Sequence, residues 1–129
     1  MQTVKQKKTH VNIDPELLKQ IQASNDNCTI VHCIYGNPLH INQRVRIWPT
    51  TYLVQENGIR KKLLQSYNIP SYPEWKFFDG PTCSFTLLFE GLDKDCKQFD
   101  LLEDIPESGE FFVPGIKRND TDVYLVKLT

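Results

Sequence analysis

The amino-acid sequence predicts a single all-β domain, an antiparallel β-sandwich of seven or eight short strands. Short runs rich in β-branched and aromatic residues recur along the chain, with turn-forming residues between them roughly every ten positions. Strands do not alternate with helices in the way that builds parallel sheets. With 129 residues, of which 40% are hydrophobic and 24% charged, the chain is long enough to bury one core of its own.

Two stretches in the first half of the chain carry the early strands. Cys28–Tyr35 is apolar on both sides of its alternation, which predicts a central strand covered on both faces. Residues 43–54 predict a second pair of strands or one bent strand. In this stretch Val45 and Ile47 alternate with arginine and tryptophan, as in a half-buried strand, and Pro49 marks an edge or a bulge.

The remaining elements follow from turn residues and alternation. Asn57-Gly58 predicts a β-hairpin with a type I′ turn, because both residues tolerate a positive φ. Residues 67–82 mix prolines with aromatic side chains and predict a long loop that contains a short strand near its middle. Further strands are predicted at Cys83–Glu90, Gln98–Leu102, Phe111–Ile116 and Val123–Leu128.

The N-terminal region departs from the strand pattern. Residues 1–12 are polar and predict a flexible tail, which leaves residues 13–129 as the single domain. Asp14–Ile21 predicts a short helix, since Asp14 suits the N-cap and a proline and a glutamate follow it. The apolar side chains of this helix share one face and are Leu17, Leu18 and Ile21.

Charge and hydropathy exclude several classes of function. Fifteen Lys and Arg against sixteen Asp and Glu give a net charge of −1, which does not favour binding to a phosphate backbone, so we predict no nucleic-acid partner. No run approaches the ~18–20 apolar residues of a membrane-spanning helix. Met1–His10 is polar and does not look like a signal peptide. The protein is then cytoplasmic, or periplasmic or in the cell envelope if an export signal was removed; the sequence leaves both open.

The residue types used in catalysis and metal binding do not form a known motif. The four cysteines permit two disulfides or buried thiols, and no pair has CxxC spacing. His32 and Cys33 are neighbours on a predicted strand and point to opposite faces, so they cannot share one ion, and His40 adds no motif. The acidic residues from Glu103 to Glu110 are expected on solvated turns. We therefore predict no catalytic residue, no metal site and no cofactor.

The aromatic loop, Tyr67–Phe78, is the best candidate for binding. Tyr67, Tyr72 and Trp75 stand in a proline-stiffened segment and could present rigid contact area to a protein partner or to a sugar. The competing interpretation, which we favour, is that Trp75, Phe77 and Phe78 turn inward and close the end of the sandwich.

Several of the strand sequences resemble an immunoglobulin-like β-sandwich domain of Bacteroides-type bacteria, which is often found N-terminal to exported thioredoxin-like domains or alone in uncharacterised proteins. The resemblance covers about three-quarters of the chain, and its motifs are structural. The matching segments are Thr29–His32, Val45–Ile47, Thr51–Leu53, Ser84–Leu92, Phe99–Glu103 and Gly115-Ile116. The helix-like Asp14–Ile21 stands where that family begins with an alternating strand, so the first element departs from the family pattern.

The resemblance implies a non-enzymatic module, a protein-binding or accessory domain of the bacterial cell envelope with an unidentified protein partner. The alternative is a small carbohydrate-binding or carbohydrate-active domain that uses Tyr67–Phe78 together with an acidic pair. The oligomeric state stays open.

Overall fold

The computed structural model describes residues 27–36 and 43–128. The predicted tail, the predicted helix Asp14–Ile21 and His40 lie outside these residues. Within them the chain forms β-strands and no helix. In chain order the nine strands are β1 (Cys28–Gly36), β2 (Arg44–Val45), β3 (Thr51–Gln55), β4 (Arg60–Tyr67), β5 (Lys76–Phe77), β6 (Thr82–Glu90), β7 (Gln98–Glu103), β8 (Phe112–Lys117) and β9 (Val123–Leu128).

Seven of the strands form one sheet in the order β8-β7-β3-β4-β6-β1-β9, and β2 and β5 form a separate two-stranded sheet. Neighbouring strands are antiparallel except for β1 and β9, which run parallel. The prediction of an all-β fold is confirmed, but the parallel pair of β1 and β9 makes the large sheet mixed rather than wholly antiparallel as predicted. Every predicted strand is present, and two of the nine are only two residues long.

The large sheet folds over on itself, so that its two halves enclose one core. Phe99 on β7 and Tyr124 on β9 lie five strands apart in the sheet order, yet their rings meet edge to face with centroids 5.0 Å apart. A β-bulge between Leu63 and Gln65 interrupts β4, the middle strand of the order. A bulge bends a strand and increases its twist, which suits the place where the sheet turns. The result is a sandwich or barrel-like packing.

Strand β1 is an interior strand that is covered on both faces, as its sequence predicts, and it lies second from the edge of the large sheet. It pairs with β6 on one side and β9 on the other. Val31 and Cys33 point into the main core with Phe85, whereas Ile30 points to the opposite face and packs with Leu88. An apolar residue at nearly every position of β1 therefore reflects burial on both faces.

The hairpin between β3 and β4 confirms the signal at Asn57-Gly58, but the predicted type I′ turn is wrong. The Gly58 N–H donates to the Gln55 carbonyl at 2.8 Å, and Gly58 has φ +87°. Asn57 does not have a positive φ; instead its side chain accepts from the Ile59 N–H at 3.0 Å. The loop is a three-residue type, in which one turn is followed by glycine in the left-handed region.

Two further features complete the core. Cys33, Cys83 and Cys96 are buried, and no disulfide joins the four cysteines, so the thiol alternative is the one observed. The Tyr124 hydroxyl donates to the Asp122 carboxylate at 2.9 Å and accepts from the Asn119 N–H at 3.1 Å, which fixes the turn before β9.

Among residues 27–36 and 43–128, no helix is long and apolar enough to cross a bilayer.

Candidate functional site

The most distinctive surface lies on the outward side of the small sheet. Arg44 on β2 is paired with Phe77 on β5, so both side chains point to the same face. Val45 and Ile47 point the other way, into the core. Alternation therefore places Arg46 and Trp48 on the outward side with Arg44. The chain at Ile47 also bonds to the segment after β4, because the Tyr72 N–H donates to the Ile47 carbonyl at 2.8 Å.

The outward side chains form a stack of rings and guanidinium groups. We call this surface the Arg–aromatic face; its members are Arg44, Arg46, Trp48, Tyr72, Trp75 and Phe77. The rings of Trp48 and Tyr72 lie with centroids 3.8 Å apart. The Cζ atom of Arg46 lies 4.6 Å from the Tyr72 centroid and 3.8 Å from the Trp75 centroid, and that of Arg44 lies 4.1 Å from the Trp75 centroid.

Three of these aromatic side chains remain accessible. Phe77 is 70% exposed, Tyr72 43% and Trp75 38%. The expectation that Trp75 and Phe77 turn inward is therefore wrong, whereas Phe78 does pack against the core, near Tyr35. The physical reason is the alternation of β5: pairing with β2 places Phe77 beside Arg44 and directs its neighbour Phe78 inward.

The two arginines differ in their charge partners. Arg46 is mostly buried and forms an ion pair with Glu107 at 3.2 Å; it also donates to the Pro73 carbonyl. Arg44 is exposed and has no ion pair within the described ranges. Arg44 is therefore the cation of the face that remains available to an external anion.

A cavity of about 160 Å³ adjoins the face, and Trp48, Trp75, Glu103 and Glu107 are among its lining residues. Glu103 is buried, contrary to the expectation of a solvated turn. One of its carboxylate oxygens accepts from the Trp48 N–H at 3.1 Å and the other from the Phe111 N–H at 3.2 Å. Burial raises the pKa of this carboxyl group, and the two backbone donors partly oppose that rise.

The arrangement of this cavity does not resemble a pair of acid and base catalysts. Each oxygen of Glu103 is occupied by a backbone N–H, and Glu107 is paired with Arg46. Both carboxylates therefore hold parts of the chain together: Glu103 joins the segment before β3 to the segment before β8. These two backbone hydrogen bonds account for the burial of Glu103 without a catalytic role for its carboxylate.

The three predicted binding residues do not come together. Tyr72 and Trp75 both belong to the Arg–aromatic face, and both lie beside Arg46. Tyr67 instead ends β4 and packs against Ile30 and Leu88 on another face of the large sheet. Sequence reasoning missed the arginines and Phe77. The alternation of Arg44, Arg46 and Trp48 with the buried Val45 and Ile47 could have indicated them, because every second residue of this run points outward.

The predicted separation of His32 and Cys33 is confirmed. Cys33 lies in the main core, where burial raises the pKa of its thiol, and the His32 imidazole shares a hydrogen bond with Thr86 on the other face. No group of three or more histidine, cysteine or acidic residues suited to a metal ion occurs in the part of the chain that the structure describes.

A second, wider cleft lies beside the turn before β9, and Lys94, Lys97 and Arg118 are among its lining residues. Arg118 is engaged within the protein, because its guanidinium bonds to the Asp122 carboxylate and to the carbonyls of Asp93 and Cys96. The Arg–aromatic face is the better candidate because it combines an available cation with exposed rings.

Comparison with known proteins adds no family. No protein-family description matches this chain, and no curated protein or solved structure shows significant similarity to it.

Proposed function

We propose that this chain is a non-catalytic protein-binding module whose contact surface is the Arg–aromatic face. The observation that carries the proposal is the exposure of Phe77, Tyr72 and Trp75 beside Arg44, which has no ion pair among the residues that the structure describes. Its place as an accessory domain of the bacterial cell envelope rests on the family resemblance of the strand sequences alone.

The chemistry of the face favours a protein partner. Tyrosine, tryptophan and arginine are the residue types most enriched among the side chains that dominate protein–protein binding energy. Here the rings and guanidinium groups already stack on one another, so Arg46, Trp48 and Tyr72 lose little conformational freedom when a partner binds. A fitting partner supplies an apolar pocket for Phe77 and a carboxylate for Arg44.

Carbohydrate binding is the second candidate, and one observation favours it: Trp75 lines the same cavity as Glu103 and Glu107. The stacking weighs against it. Sugars bind aromatic side chains through the ring face, and the Arg46 and Arg44 guanidinium groups already lie within 4.1 Å of the Trp75 ring centroid. A sugar would have to displace a favourable cation–π contact before it could stack.

A site-specific crosslinking experiment tests the proposal. A photoreactive phenylalanine analogue is placed at Phe77 or, as the control, at Ile59, which is 49% exposed on the β3–β4 turn. We expect one defined protein adduct from position 77 in extract of the source organism and none from position 59. The adduct is identified by mass spectrometry, and the partner is then purified for affinity measurements.

The affinity measurements decide between the two candidates. Phe77→Ala should weaken binding to the purified partner by a factor of roughly 30 or more, as for a dominant interface residue, and Ile59→Ala should not. Arg44→Lys should also weaken it, because an ammonium group lacks the planar fork that binds a carboxylate. Equal affinities for the Phe77 and Ile59 variants would refute the assignment. Saturable quenching of tryptophan fluorescence by an oligosaccharide would favour the sugar candidate instead.

A further inference from the structure

The cavity of about 160 Å³ beside the Arg–aromatic face reaches from the protein surface toward the core. Its lining includes the exposed residues Glu107, Ser108 and Gly109 as well as the buried residues Val45 and Glu103. Water occupies about 30 Å³ per molecule, so the cavity has room for roughly five groups of that size. Pockets that hold whole small molecules are larger, about 300–1,000 Å³. The cavity therefore suits one side chain of a partner rather than a complete ligand.

The walls of the cavity combine aromatic rings with carboxylates. We call it the ring-lined cavity, because four rings are among its lining residues; they belong to Tyr35, Trp48, Trp75 and Phe111. Glu103 and Glu107 add two carboxylates, and Arg46 is the only cation among the described residues of the lining. Two ionised carboxylates against one guanidinium group leave this lining with a formal charge of −1.

The Arg46 guanidinium does not neutralise both carboxylates. It pairs with Glu107 at 3.2 Å, donates to the Pro73 carbonyl, and lies over the Trp75 ring. Glu103 forms no ion pair with any residue that the structure describes, and two backbone N–H groups bind its oxygens. A carboxylate oxygen can accept a second hydrogen bond, so Glu103 keeps acceptor capacity for a group in the cavity.

We propose that the ring-lined cavity binds a lysine side chain of the protein partner, an inference that rests on the proposed protein-binding function of the Arg–aromatic face. The four-carbon stem of lysine is apolar and packs against rings, and its ammonium group is a compact cation with three donors. Stem and ammonium together match the size of the cavity and its excess of one negative charge. Aromatic walls also attract an ammonium group that has lost part of its hydration.

The position of the cavity adds to the description of the partner. Trp75 lines the cavity, and the Cζ atom of Arg44 lies 4.1 Å from the centroid of the same ring. The partner therefore carries its lysine close to the carboxylate that meets Arg44. Two neighbouring charges of opposite sign also fix the orientation of the partner, because a reversed arrangement would bring like charges together.

The experiment needs no partner and uses n-butylammonium as the mimic of a lysine side chain. It is titrated into the full-length isotope-labelled protein, and the NMR signals of the Trp48 and Phe111 backbone N–H groups are followed, because both groups donate to Glu103. The Ile59 signal, on the β3–β4 turn, is the control for effects of ionic strength. Two matched probes are 1-butanol, which is uncharged, and butyrate, which carries the opposite charge.

We expect saturable shifts of the Trp48 and Phe111 signals with a dissociation constant of roughly millimolar for n-butylammonium, as fits so small a ligand. Binding of 1-butanol should be weaker by about tenfold, and butyrate should not bind. Equal affinities for n-butylammonium and 1-butanol would overturn the assignment of a cation. Shifts that do not saturate, or that are as large at Ile59, would overturn the site.

Two variants of one loop locate the charge that attracts the ligand. Glu107→Gln removes a carboxylate of the lining and should weaken the binding of n-butylammonium by about two- to fivefold. Glu110→Gln is the control, since Glu110 is exposed on the same loop and is not among the lining residues. Equal affinities of the two variants would contradict the role of the cavity carboxylates.

This inference and the proposed function can fail separately. If Phe77→Ala weakens binding to the partner but n-butylammonium does not bind, the Arg–aromatic face remains the interface and the lysine assignment is wrong. If n-butylammonium binds but the Phe77 and Ile59 variants have equal affinity for the partner, the cavity accepts an alkylammonium group and the face is not the interface.

Discussion

Glu103 offers the sharpest test of how the segments before β3 and β8 are held together. Its side chain is 3% exposed, and its two oxygens accept the Trp48 and Phe111 N–H groups. Glu103→Ala removes both acceptors and leaves the two part-buried donors without this partner. Each such donor costs about 1–3 kcal/mol, or about 2–6 kcal/mol for the two. Removal of a buried charge offsets part of this cost, so we expect the free energy of unfolding to fall by about 2–4 kcal/mol.

Glu103→Gln separates the charge from the acceptors. The amide keeps the shape and one carbonyl oxygen, but its NH₂ group faces the remaining N–H, so we expect a loss of about 1–3 kcal/mol. The control is Glu107→Gln, which breaks the ion pair of Arg46 with a half-exposed carboxylate. That pair is partly screened by solvent, and its loss should cost at most about 1 kcal/mol.

The assay is urea unfolding at neutral pH, followed by the fluorescence of Trp48 and Trp75. A result in which Glu103→Ala destabilises the fold no more than Glu107→Gln would refute the role of the two backbone contacts.

The pH dependence of stability gives a second test of Glu103. Because burial raises the pKa of Glu103 above its usual 4.5, the folded protein holds this proton more tightly than the unfolded chain. Its contribution to stability is therefore full below 4.5 and is lost as the pH rises through the folded pKa. Glu103→Gln should remove this slope.

Three further substitutions test the packing and the surface. Gly91→Ala should lower the free energy of unfolding in urea by about 1–3 kcal/mol, because the added Cβ would lie 2.9 Å from the Asn27 carbonyl oxygen. The control is Gly36→Ala, whose Cβ meets only contacts of 3.7 Å and should cost little. Equal losses in the two variants would contradict the clash at Gly91. Phe89→Ala should cost about 3–5 kcal/mol by thermal unfolding, since Phe89 is fully buried. Phe77→Ala should leave the melting temperature nearly unchanged, and a large drop would show that its ring supports the fold rather than a partner.

Much of the strand pattern follows from the sequence because side-chain alternation and burial agree there. Phe85, Leu87 and Phe89 alternate on β6 and all enter the core, as predicted. The apolar character of both sides of β1 likewise predicts its burial on both faces. The parallel pairing of β1 with β9 could not be predicted, because it depends on how the sheet closes. Neither strand has a residue pattern that indicates whether its partner runs parallel or antiparallel.

The candidate site was harder to predict for a different reason. Whether an aromatic residue in a proline-rich loop points in or out depends on the register of a two-residue strand, and that register is set by partners distant in the chain. Trp75 and Phe77 point outward because β5 pairs with β2. Glu103 lies at the end of a strand, and its burial depends on backbone donors from two other segments, which no local pattern reveals.

The pairing of β1 with β9 also bears on how the chain is made. It joins the first described strand to the last described strand, so β1 stays unpaired on one side until β9 has been synthesised. Contacts between residues so distant in sequence slow folding, because the whole intervening loop has to close first. During translation β1 therefore exposes an edge of unpaired backbone N–H and C=O groups for as long as β9 remains in the ribosome, and a chain truncated before β9 cannot complete its sheet. The nascent sheet therefore depends on β9 more than the small size of the domain alone would suggest.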